Sequence, residues 1–502
     1  MDCDVVVEPS PSEWCEVDDA ICAAAEGARA FGALAPTRRA GMLTTVADEL
    51  ESAGESLVRV ADEETHLGIT RLRAELGRTT FQLRLFADVL TDGEYLGAIL
   101  DPSAPGWPSG PRPDLRRILR PLGPVLVFAA GNFPFAFSVV GGDSTSALAA
   151  GCPVVLKAHP GHPRLSKVTA ELVAGALMRS GAPAGVFSVI YGEDAGRQAL
   201  LDRRICAAAF TGSLQAGRTL FDLAVSRPVP IPFFGELGST NPTFVTARAL
   251  ARRRAEIVEG FVRSLTLGSG QFCTKPGVLV VPGGTGVEGE VAAALHEKQA
   301  ALLLNDRIRR GYLEGLGRLV AHPSVRVLVA GTVHPDGEVG PSLLTTTVRE
   351  LVSHPDALLV ECFGPVAIVA VYSEERELVA AVRAFEGQLT ASLQAEEDDR
   401  IAAELLEHCA ERAGRVLWNE WPTGVSVTWA MHHGGPYPAT TDPLHTSVGT
   451  TAIARFMRPV TYQSVPATLL PLALRDDNPL GLPRRVDGRL VSRLQAAVDG
   501  AV

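Results

Sequence analysis

The chain has 502 residues, enough for two or three domains, and its composition excludes several classes of protein. Hydrophobic residues make up 46% of it and charged residues 21%, so it can bury large cores and is unlike a disordered protein. The formal net charge of −11 argues against non-specific binding to nucleic acid or to anionic membranes.

The eight cysteines are scattered along the chain, without the paired spacing of a disulfide framework or a zinc site. The amino-terminal sequence MDCDVVVEPSPSEWCE is acidic and lacks the basic start and apolar core of a signal peptide. These features predict a cytoplasmic protein that binds no metal.

The first part of the chain contains two distinct patterns. From about residue 18 to residue 90, apolar residues recur at helical spacing, which predicts an all-helical start. Residues 101–117, DPSAPGWPSGPRPDLRR, are dense in proline and glycine and predict an exposed arm. The apolar run at 125–142 has the length of a membrane span, but Asn132 and Pro134 interrupt it. We predict a buried strand, a tight turn and a helix there instead.

Short apolar runs then alternate with helical stretches, which is typical of parallel sheets with crossover helices and places the chain in the α/β class. ILRPLGPVLVFA, PVVLKA, GVFSVIYG, AAAFTG and VPIPFFGE predict one sheet, with a natural nucleotide site at its carboxyl edge. GVLVVP, VRVLVAG and VAIVAVY predict a second sheet. The segment GTGVEG at 284–289 matches a dinucleotide-binding pattern, but more helix follows it, so we interpret it as an ordinary loop.

Cys273 stands in the loop sequence GSGQFCTKPG, just before a predicted strand. A lone cysteine is more often a small buried residue than a nucleophile. Backbone N–H groups exposed in a glycine-rich loop can, however, stabilise a thiolate, which is the form that attacks carbonyl groups. The loop alone leaves both interpretations open.

Glu236 ends an apolar run in PFFGELGSTNP. A loop carboxylate is ordinarily solvated or caps a helix. A carboxylate that enters from apolar residues is partly desolvated, and this raises its pKa toward that of a general base. The single residue does not decide between these alternatives.

Two polar residues stand at the ends of predicted strands. Asn132, in AAGNFPFAF, is either a turn former or a neutral donor aimed at a developing oxyanion. Lys157, in VVLKAHPGHP, is either solvated or binds the ribose or phosphate of a nucleotide at the sheet edge.

Seven motifs in one order resemble those of the aldehyde dehydrogenase superfamily, and they run from about residue 125 to beyond residue 463. They are GNFPFAFS, VVLKAHP, AAFTGS, FGELGSTNP, GSGQFCT, ECFGPV and HGGPYPATTD. Longer stretches around VVLKAHPGHP and HGGPYPATTDPLHTSVGTT are similar to the NADP-preferring branch that includes 2,5-dioxovalerate (α-ketoglutaric semialdehyde) dehydrogenases. Long-chain fatty aldehyde dehydrogenases of luminous bacteria lie near that branch.

The resemblance implies NAD(P)-dependent oxidation of an aldehyde to a carboxylic acid through a cysteine thiohemiacetal and a thioester. It makes Cys273 the nucleophile and Glu236 the general base. The Asn132 side chain and the Cys273 backbone N–H would form the oxyanion hole. The chemistry agrees, since a thiol adds readily to an aldehyde and its thioester is readily hydrolysed.

The resemblance also implies the cofactor contacts. Lys157 would bind the ribose, Gly212 and Ser213 would lie near the pyrophosphate, and Glu361 and Phe363 would hold the nicotinamide ribose.

The preference between NAD and NADP depends on the residues after the ribose lysine. NAD-preferring members usually carry a glutamate at the position of Pro160, where it would repel a 2′-phosphate. His159 and Arg197 are candidate phosphate partners. We therefore expect NADP to be preferred, with NAD also possible.

The resemblance further implies two Rossmann-like parallel-sheet domains and a small oligomerisation arm. The cofactor domain would comprise residues 1–100 and 118–235, and the catalytic domain residues 236–431. Residues 101–117 and 432–502 would form the arm and tail of a homodimer or homotetramer.

Two departures from the branch bear on the substrate. Lys275 stands beside the thiol, where it could lower the pKa of Cys273 or meet an acidic substrate, and Gly238 replaces a common serine. The expected substrate is a semialdehyde such as 2,5-dioxovalerate, and a fatty, other aliphatic or aromatic aldehyde is the alternative. A cysteine-dependent esterase and a non-catalytic binding protein are the remaining rivals.

Overall fold

The structure is a computed structural model and describes residues 8–491, so the predicted domain ends at 1–7 and 492–502 lie outside the described residues. The helices are α1 (Trp14–Gly32), α2 (Pro36–Ser52), α3 (Gly54–Thr65), α4 (Ile69–Asp92), α5 (Gly142–Ala150), α6 (Pro163–Arg179), α7 (Glu193–Leu201), α8 (Leu214–Ser226), α9 (Ala247–Thr266), α10 (Val287–His296), α11 (Asp306–Val320), α12 (Val348–Ser353), α13 (Pro355–Leu358), α14 (Arg376–Ala384) and α15 (Ala402–Arg412). The strands are β1 (Ile99–Asp101), β2 (Leu115–Pro121), β3 (Val125–Phe128), β4 (Val154–Lys157), β5 (Phe187–Ile190), β6 (Ala207–Thr211), β7 (Phe233–Glu236), β8 (Thr243–Val245), β9 (Val278–Pro282), β10 (Arg326–Val329), β11 (Ser342–Thr347), β12 (Val366–Tyr372), β13 (Gln388–Gln394), β14 (Ala413–Trp418), β15 (Met457–Gln463), β16 (Arg484–Val486) and β17 (Arg489–Val491).

The predicted helical start is confirmed by α1 to α4. Apolar side chains such as Leu43 and Val46 on α2 and Leu83 and Phe86 on α4 belong to one buried core. Helix α4 ends at Gly93, whose φ of 82° is a left-handed conformation that glycine adopts without strain. Packing in this shared core fixes α4 relative to α2.

The first large sheet has the strand order β5-β4-β3-β6-β7, and all its neighbouring strands are parallel. The predicted run ILRPLGPVLVFA is not one strand, because Gly123, at φ 129°, turns the chain between β2 and β3. β2 belongs to a different sheet. The carboxyl ends of β4 and β7 place Lys157 and Glu236 at the same edge of the first sheet.

The second large sheet has the order β10-β11-β12-β9-β8-β13-β14, in which only the β10 and β11 pair is antiparallel. Its strand β9 begins five residues after Cys273, so the sheet fixes the exit of that loop. Residues 284–286 are a turn and residues 287–289 are the first turn of α10, so the predicted loop is only the first half of this segment. The predicted further helix is confirmed, because α11 comes next along the chain before any long strand.

A third, small sheet joins the two segments predicted as the arm and tail. Its order is β15-β2-β1-β16-β17, and β2 pairs with β15 along seven residues. The predicted boundary at residue 117 falls inside β2, because the proline-rich segment is the connection between two paired strands.

The apolar run at 125–142 consists of β3, a series of turns and the first residue of α5. Within residues 8–491, no helix is both long and apolar enough to cross a membrane.

Candidate active site

The three residues predicted as catalytic come together from both large sheets. Glu236 ends β7 and is 3% exposed, Asn132 follows β3, and Cys273 lies in the loop between α9 and β9. Asn132 Nδ2 donates to the carbonyl oxygen of Gln271 at 3.1 Å, two residues before Cys273. One of the two amide hydrogens of Asn132 is thereby used, and the other remains available.

The loop that carries Cys273 is held by hydrogen bonds to its backbone. Asn241 Nδ2 donates to the carbonyl oxygens of Cys273 at 2.8 Å and of Lys275 at 3.1 Å. At Gly270, φ is 68° and a Cβ atom would lie 2.4 Å from the carbonyl oxygen of Gly364. Only glycine fits this position, which explains the glycine-rich approach to the cysteine.

A histidine lies between the cysteine and the glutamate. His433 Nε2 is 3.5 Å from Cys273 Sγ and 3.0 Å from Glu236 Oε1, and the His433 side chain is fully buried. Ser447 Oγ donates to the other carboxylate oxygen of Glu236. Both contacts of His433 are made by the same ring nitrogen, which either donates its hydrogen or accepts with its lone pair, so the three side chains form one buried cluster around His433 Nε2.

His433 and Ser447 are two side chains of this centre that were not among the predicted site residues. They belong to residues 432–502, the segment predicted as part of the oligomerisation arm and C-terminal tail. The signal was present in the sequence, since His433 begins the motif HGGPYPATTD. Residue type alone does not show that this histidine returns to a cysteine 160 residues earlier.

The surroundings set opposite protonation states for the thiol and the carboxylate. Burial raises the pKa of the Cys273 thiol well above its usual value, and the charges of Glu236 and Glu361 raise it further. Burial also acts to raise the pKa of Glu236, but His433, Ser447 and Cys273 together lower it overall. The resting site therefore holds a thiol next to a carboxylate that can accept a proton.

This resting state predicts the pH dependence of cysteine modification. In the cofactor-free protein, alkylation of Cys273 by iodoacetamide should keep accelerating as the pH rises above 9, because the raised pKa delays formation of the thiolate. The rate is measured by quantifying the modified peptide by mass spectrometry. A rate that is already maximal at neutral pH would contradict this protonation state.

Lys157 lies where a nucleotide is expected. It is 8% exposed, and its ammonium makes no hydrogen bond or ion pair with any described residue. Burial lowers the pKa of this ammonium, while Glu193 acts to raise it. A Cβ atom on Gly196 would lie 2.9 Å from Lys157 Cγ, so α7 packs directly on the lysine. A buried unpaired cation at a strand end fits the ribose and phosphate of a dinucleotide.

The turn before α8 fits the same ligand. Ser213 caps α8 by accepting a hydrogen bond from the backbone N–H of Ala216. A Cβ atom on Gly212 would lie 2.6 Å from Phe210 Cζ, so this turn accommodates no larger residue without rearrangement. The start of a helix of this length is a favourable environment for phosphate groups.

The two predicted phosphate partners differ in their surroundings. His159 Nδ1 accepts from the backbone N–H of Gly161, and its ring stacks on His162 at 5.3 Å. Burial lowers the pKa of His159 well below 6.5, so its ring is neutral at pH 7 and offers no positive charge to a phosphate. Arg197 is exposed on α7 and makes no hydrogen bond among the described residues. Arg197 is therefore the charged candidate of the two.

Glu361 and Phe363 lie on the segment before β12, and both side chains are partly exposed. A Cβ atom on Gly238 would lie 2.5 Å from Glu361 Oε2, so the glycine makes room for this carboxylate. Burial raises the pKa of Glu361 to about 7, although Lys275 and the Ser239 backbone N–H act to lower it. The departure at Gly238 thus affects the position of Glu361.

Lys275 does not face a substrate. Its side chain is 3% exposed, and Nζ donates to the carbonyl oxygens of Cys362 at 3.1 Å and Val366 at 2.9 Å. The ammonium is therefore held in the interior by the segment that carries Glu361. Neither role considered for Lys275 from the sequence is supported, because the charge is used to fix this segment.

The side chains of Glu236, Cys273 and His433 are also close enough to share a metal ion, with ligand atoms within 4.8 Å of one another. The hydrogen bonds among them account for this proximity. The absence of a metal remains a prediction from the sequence.

Comparisons with known proteins identify the family. The model of the aldehyde dehydrogenase family matches residues 3–441. The chain is 44% identical over 458 residues to alpha-ketoglutaric semialdehyde dehydrogenase 2 of Azospirillum brasilense, covering 90% of this chain and 87% of that protein. It is 42% identical over 481 residues to alpha-ketoglutaric semialdehyde dehydrogenase of Acinetobacter baylyi, covering 95% and 91%.

A solved structure supports the fold. The crystal structure of methylmalonate-semialdehyde dehydrogenase (DddC) from Oceanimonas doudoroffii superposes with a TM-score of 0.76 at 20% identity, covering 91% of this chain and 92% of that one. The two large parallel sheets, the ordered motifs and the family match lead to one conclusion: this chain is an enzyme of the aldehyde dehydrogenase family.

Proposed function

We propose that this aldehyde dehydrogenase oxidises 2,5-dioxovalerate to 2-oxoglutarate with a preference for NADP. The observation that carries the reaction is the buried cluster of Cys273, His433 and Glu236 beside Asn132. The substrate is proposed because the two relatives are named for α-ketoglutaric semialdehyde, which is the same compound, at 44% and 42% identity.

Cys273 begins the reaction. Its sulfur forms a bond to the aldehyde carbon, and the carbonyl oxygen takes the displaced electron pair as an oxyanion. The thiol proton passes to His433 Nε2, 3.5 Å from the sulfur. The free amide hydrogen of Asn132 and the Cys273 backbone N–H stabilise the oxyanion, and one such donor is typically worth about 2.7–4 kcal/mol.

Glu236 completes the reaction. The nicotinamide cofactor, when bound, supplies the acceptor for the hydride that leaves the thiohemiacetal carbon. The carbon on Cys273 is then a thioester, and Glu236 takes a proton from the water that attacks it. The carbon–sulfur bond breaks and the acid leaves. The proton held by His433 returns to the sulfur, and the proton that Glu236 took from water passes to solvent. The buried carboxylate suits this task because its pKa is low enough to keep it ionised.

The NAD(P) of this family would be held at the edge of the first large sheet. Lys157 would bind the ribose, Gly212 and Ser213 the pyrophosphate, and Glu361 with Phe363 the nicotinamide ribose. The unpaired Lys157 ammonium and the tight Gly212 turn support this assignment.

The preference for NADP is proposed to depend on Arg197. Replacing Arg197 by alanine should weaken NADP binding by about tenfold and leave NAD binding nearly unchanged, because an exposed charge-assisted contact is at the low end of the usual range. Fluorescence titration of the two cofactors measures both constants. Arg203→Ala, another exposed arginine of the same domain, is the matched control. An equal effect on both cofactors would contradict the role of Arg197.

The substrate is tested with a panel of acidic, aliphatic and aromatic aldehydes assayed with NADP and with NAD. The expected result is the highest kcat/KM for 2,5-dioxovalerate with NADP. A higher value for a long aliphatic aldehyde would favour a fatty aldehyde dehydrogenase instead.

A homodimer or homotetramer in the cytoplasm is also proposed. The cysteines of the described residues are free thiols, which suits a reducing compartment. Leu469, Leu472 and Leu490, in or near the small sheet, are exposed apolar side chains that a second subunit would cover. Light scattering measures the number of copies.

A further inference from the structure

One face of α4 is turned toward the catalytic centre. Arg71, Glu75 and Arg78 stand four and three residues apart, which places them on the same side of the helix. Glu75 Oε1 accepts from the backbone N–H groups of Phe135 at 2.8 Å and Ala136 at 3.0 Å. These two bonds fasten α4 to the loop that carries the oxyanion amide, so the arginines are fixed relative to that loop.

A row of aromatic rings connects Arg78 with the nucleophile. The Arg78 guanidinium lies over the Phe137 ring, 5.4 Å from its centre. Phe137 contacts Phe133 at 5.5 Å, and Phe133 contacts Phe272 at 5.2 Å between ring centres. Phe272 immediately precedes Cys273. The rings therefore form a continuous aromatic row from Arg78 to the residue before Cys273, and the Arg71 guanidinium lies over Phe133 and Phe272, 5.2 and 4.8 Å from their centres.

Arg78 has unused hydrogen-bonding capacity. Its Nη1 atom is buried without a partner, and the side chain makes no hydrogen bond or ion pair among the described residues. Burial lowers the pKa of Arg78, while the charges of Glu75, Cys273 and Glu236 act to raise it, as expected for a guanidinium near the reacting groups. A buried guanidinium without an acceptor is costly unless a ligand supplies one.

The neighbouring cations are already engaged. Arg71 Nη2 donates to the carbonyl oxygen of Asn132 at 2.7 Å. Arg415, which also interacts with the charge of Cys273, donates to the carbonyl oxygens of Gly424 at 3.0 Å and Pro422 at 2.6 Å. Arg71 Nε and Nη1 and Arg415 Nε are also buried without partners, but both side chains are anchored by hydrogen bonds to backbone carbonyls, whereas Arg78 makes no hydrogen bond among the described residues.

We propose that Arg78 binds the carboxylate of the substrate and is the residue that selects acidic over neutral aldehydes. This inference rests on the proposed function, since it assigns the acid end of that substrate. The planar guanidinium donates two parallel hydrogen bonds to the carboxylate. The aromatic row packs against the carbon chain, and the aldehyde carbon at the far end meets Cys273.

The test compares two aldehydes with the same number of carbons, 2,5-dioxovalerate and pentanal, on purified full-length enzyme. Arg78→Met should lower kcat/KM for 2,5-dioxovalerate by about 100-fold, mainly through KM, and change that for pentanal only slightly. Arg78→Lys should restore part of the loss because it keeps the charge but not the planar fork. Arg73→Met removes an exposed arginine of the same helix, paired with Glu55, and should change neither value.

Two outcomes would overturn the inference. An equal loss for both aldehydes would mean that Arg78 acts on the thiol or the oxyanion, which every substrate shares. An unchanged kcat/KM for 2,5-dioxovalerate in Arg78→Met would mean that the carboxylate binds elsewhere.

A binding measurement separates this inference from the proposed function. 2-Oxoglutarate should protect Cys273 from iodoacetamide in the wild-type protein and protect Arg78→Met about 100-fold less effectively. Equal protection of both proteins would overturn the inference even where the enzyme prefers 2,5-dioxovalerate. Protection that depends on Arg78, in an enzyme that does not prefer 2,5-dioxovalerate, would support the carboxylate site and reject the proposed substrate.

Discussion

Replacing Cys273 by alanine is expected to abolish oxidation of every aldehyde, with kcat falling by about 10⁴-fold or more. Without the sulfur, neither the thiohemiacetal nor the thioester can form, and the remaining oxyanion donors have no adduct to stabilise. The measurement is the formation of NADPH with the best substrate of the panel. The fold should be retained, because the loop is held through backbone carbonyls, including that of residue 273 itself.

The matched control for this variant is Cys22→Ala, a second partly buried cysteine that lies on α1, far along the chain. It should keep wild-type turnover. Near-normal turnover in Cys273→Ala would show that the nucleophile lies elsewhere. Ester hydrolysis that needs no nucleotide and exceeds aldehyde oxidation would instead favour a thiol esterase.

Replacing Glu236 by glutamine is expected to separate the two halves of the reaction. The amide keeps the shape of the carboxylate but cannot take a proton from the attacking water. Enzyme mixed with aldehyde and NADP should produce NADPH equivalent to its active sites and then stop. Rapid mixing measures the burst, and kcat should fall by about 10²- to 10⁴-fold, the usual contribution of a general base.

Glu171→Gln, the same substitution at an exposed position on α6, should behave as the wild type. Loss of the burst together with turnover in Glu236→Gln would assign Glu236 to the first step, as the proton acceptor for the thiol. Glu236 contacts His433, which lies beside the thiol, so a role in the first step has to be tested as well as a role in hydrolysis. The burst distinguishes these two roles.

The family and fold could be predicted from the sequence because the motifs occur at strand ends, where proteins with parallel sheets carry their binding and catalytic residues. Lys157 and Glu236 end buried apolar runs, and both lie at one edge of the first sheet. The strand boundary near Gly123 was not predictable from hydrophobicity alone. A single glycine with positive φ there moves the preceding strand into another sheet.

The missing parts of the site depend on contacts between distant segments. His433 and Ser447 come from the segment predicted as arm and tail, and the residue type of a histidine does not show which cysteine it will approach. Lys275 shows the opposite error. Its position beside Cys273 in the sequence suggested a role toward the substrate, but the side chains of residues two apart in a loop need not point the same way, and its ammonium is buried.

Arg78 was not predictable from the sequence either. It belongs to a helix without any recognised motif, about 200 residues before the nucleophile, and only the packing of α4 on the Asn132 loop brings it to the site. His159 illustrates a further limit, because burial in the fold removes the charge that its residue type suggested.

The central claim is that Cys273 becomes acylated and that Glu236 is needed to release the acid. The most direct test is intact-mass analysis and peptide mapping of Glu236→Gln after mixing with NADP and 2,5-dioxovalerate. The account predicts a stable acyl adduct on the peptide that contains Cys273, formed in the same amount as NADPH. NADPH formed without any adduct on that peptide, or an adduct on another residue, would contradict it.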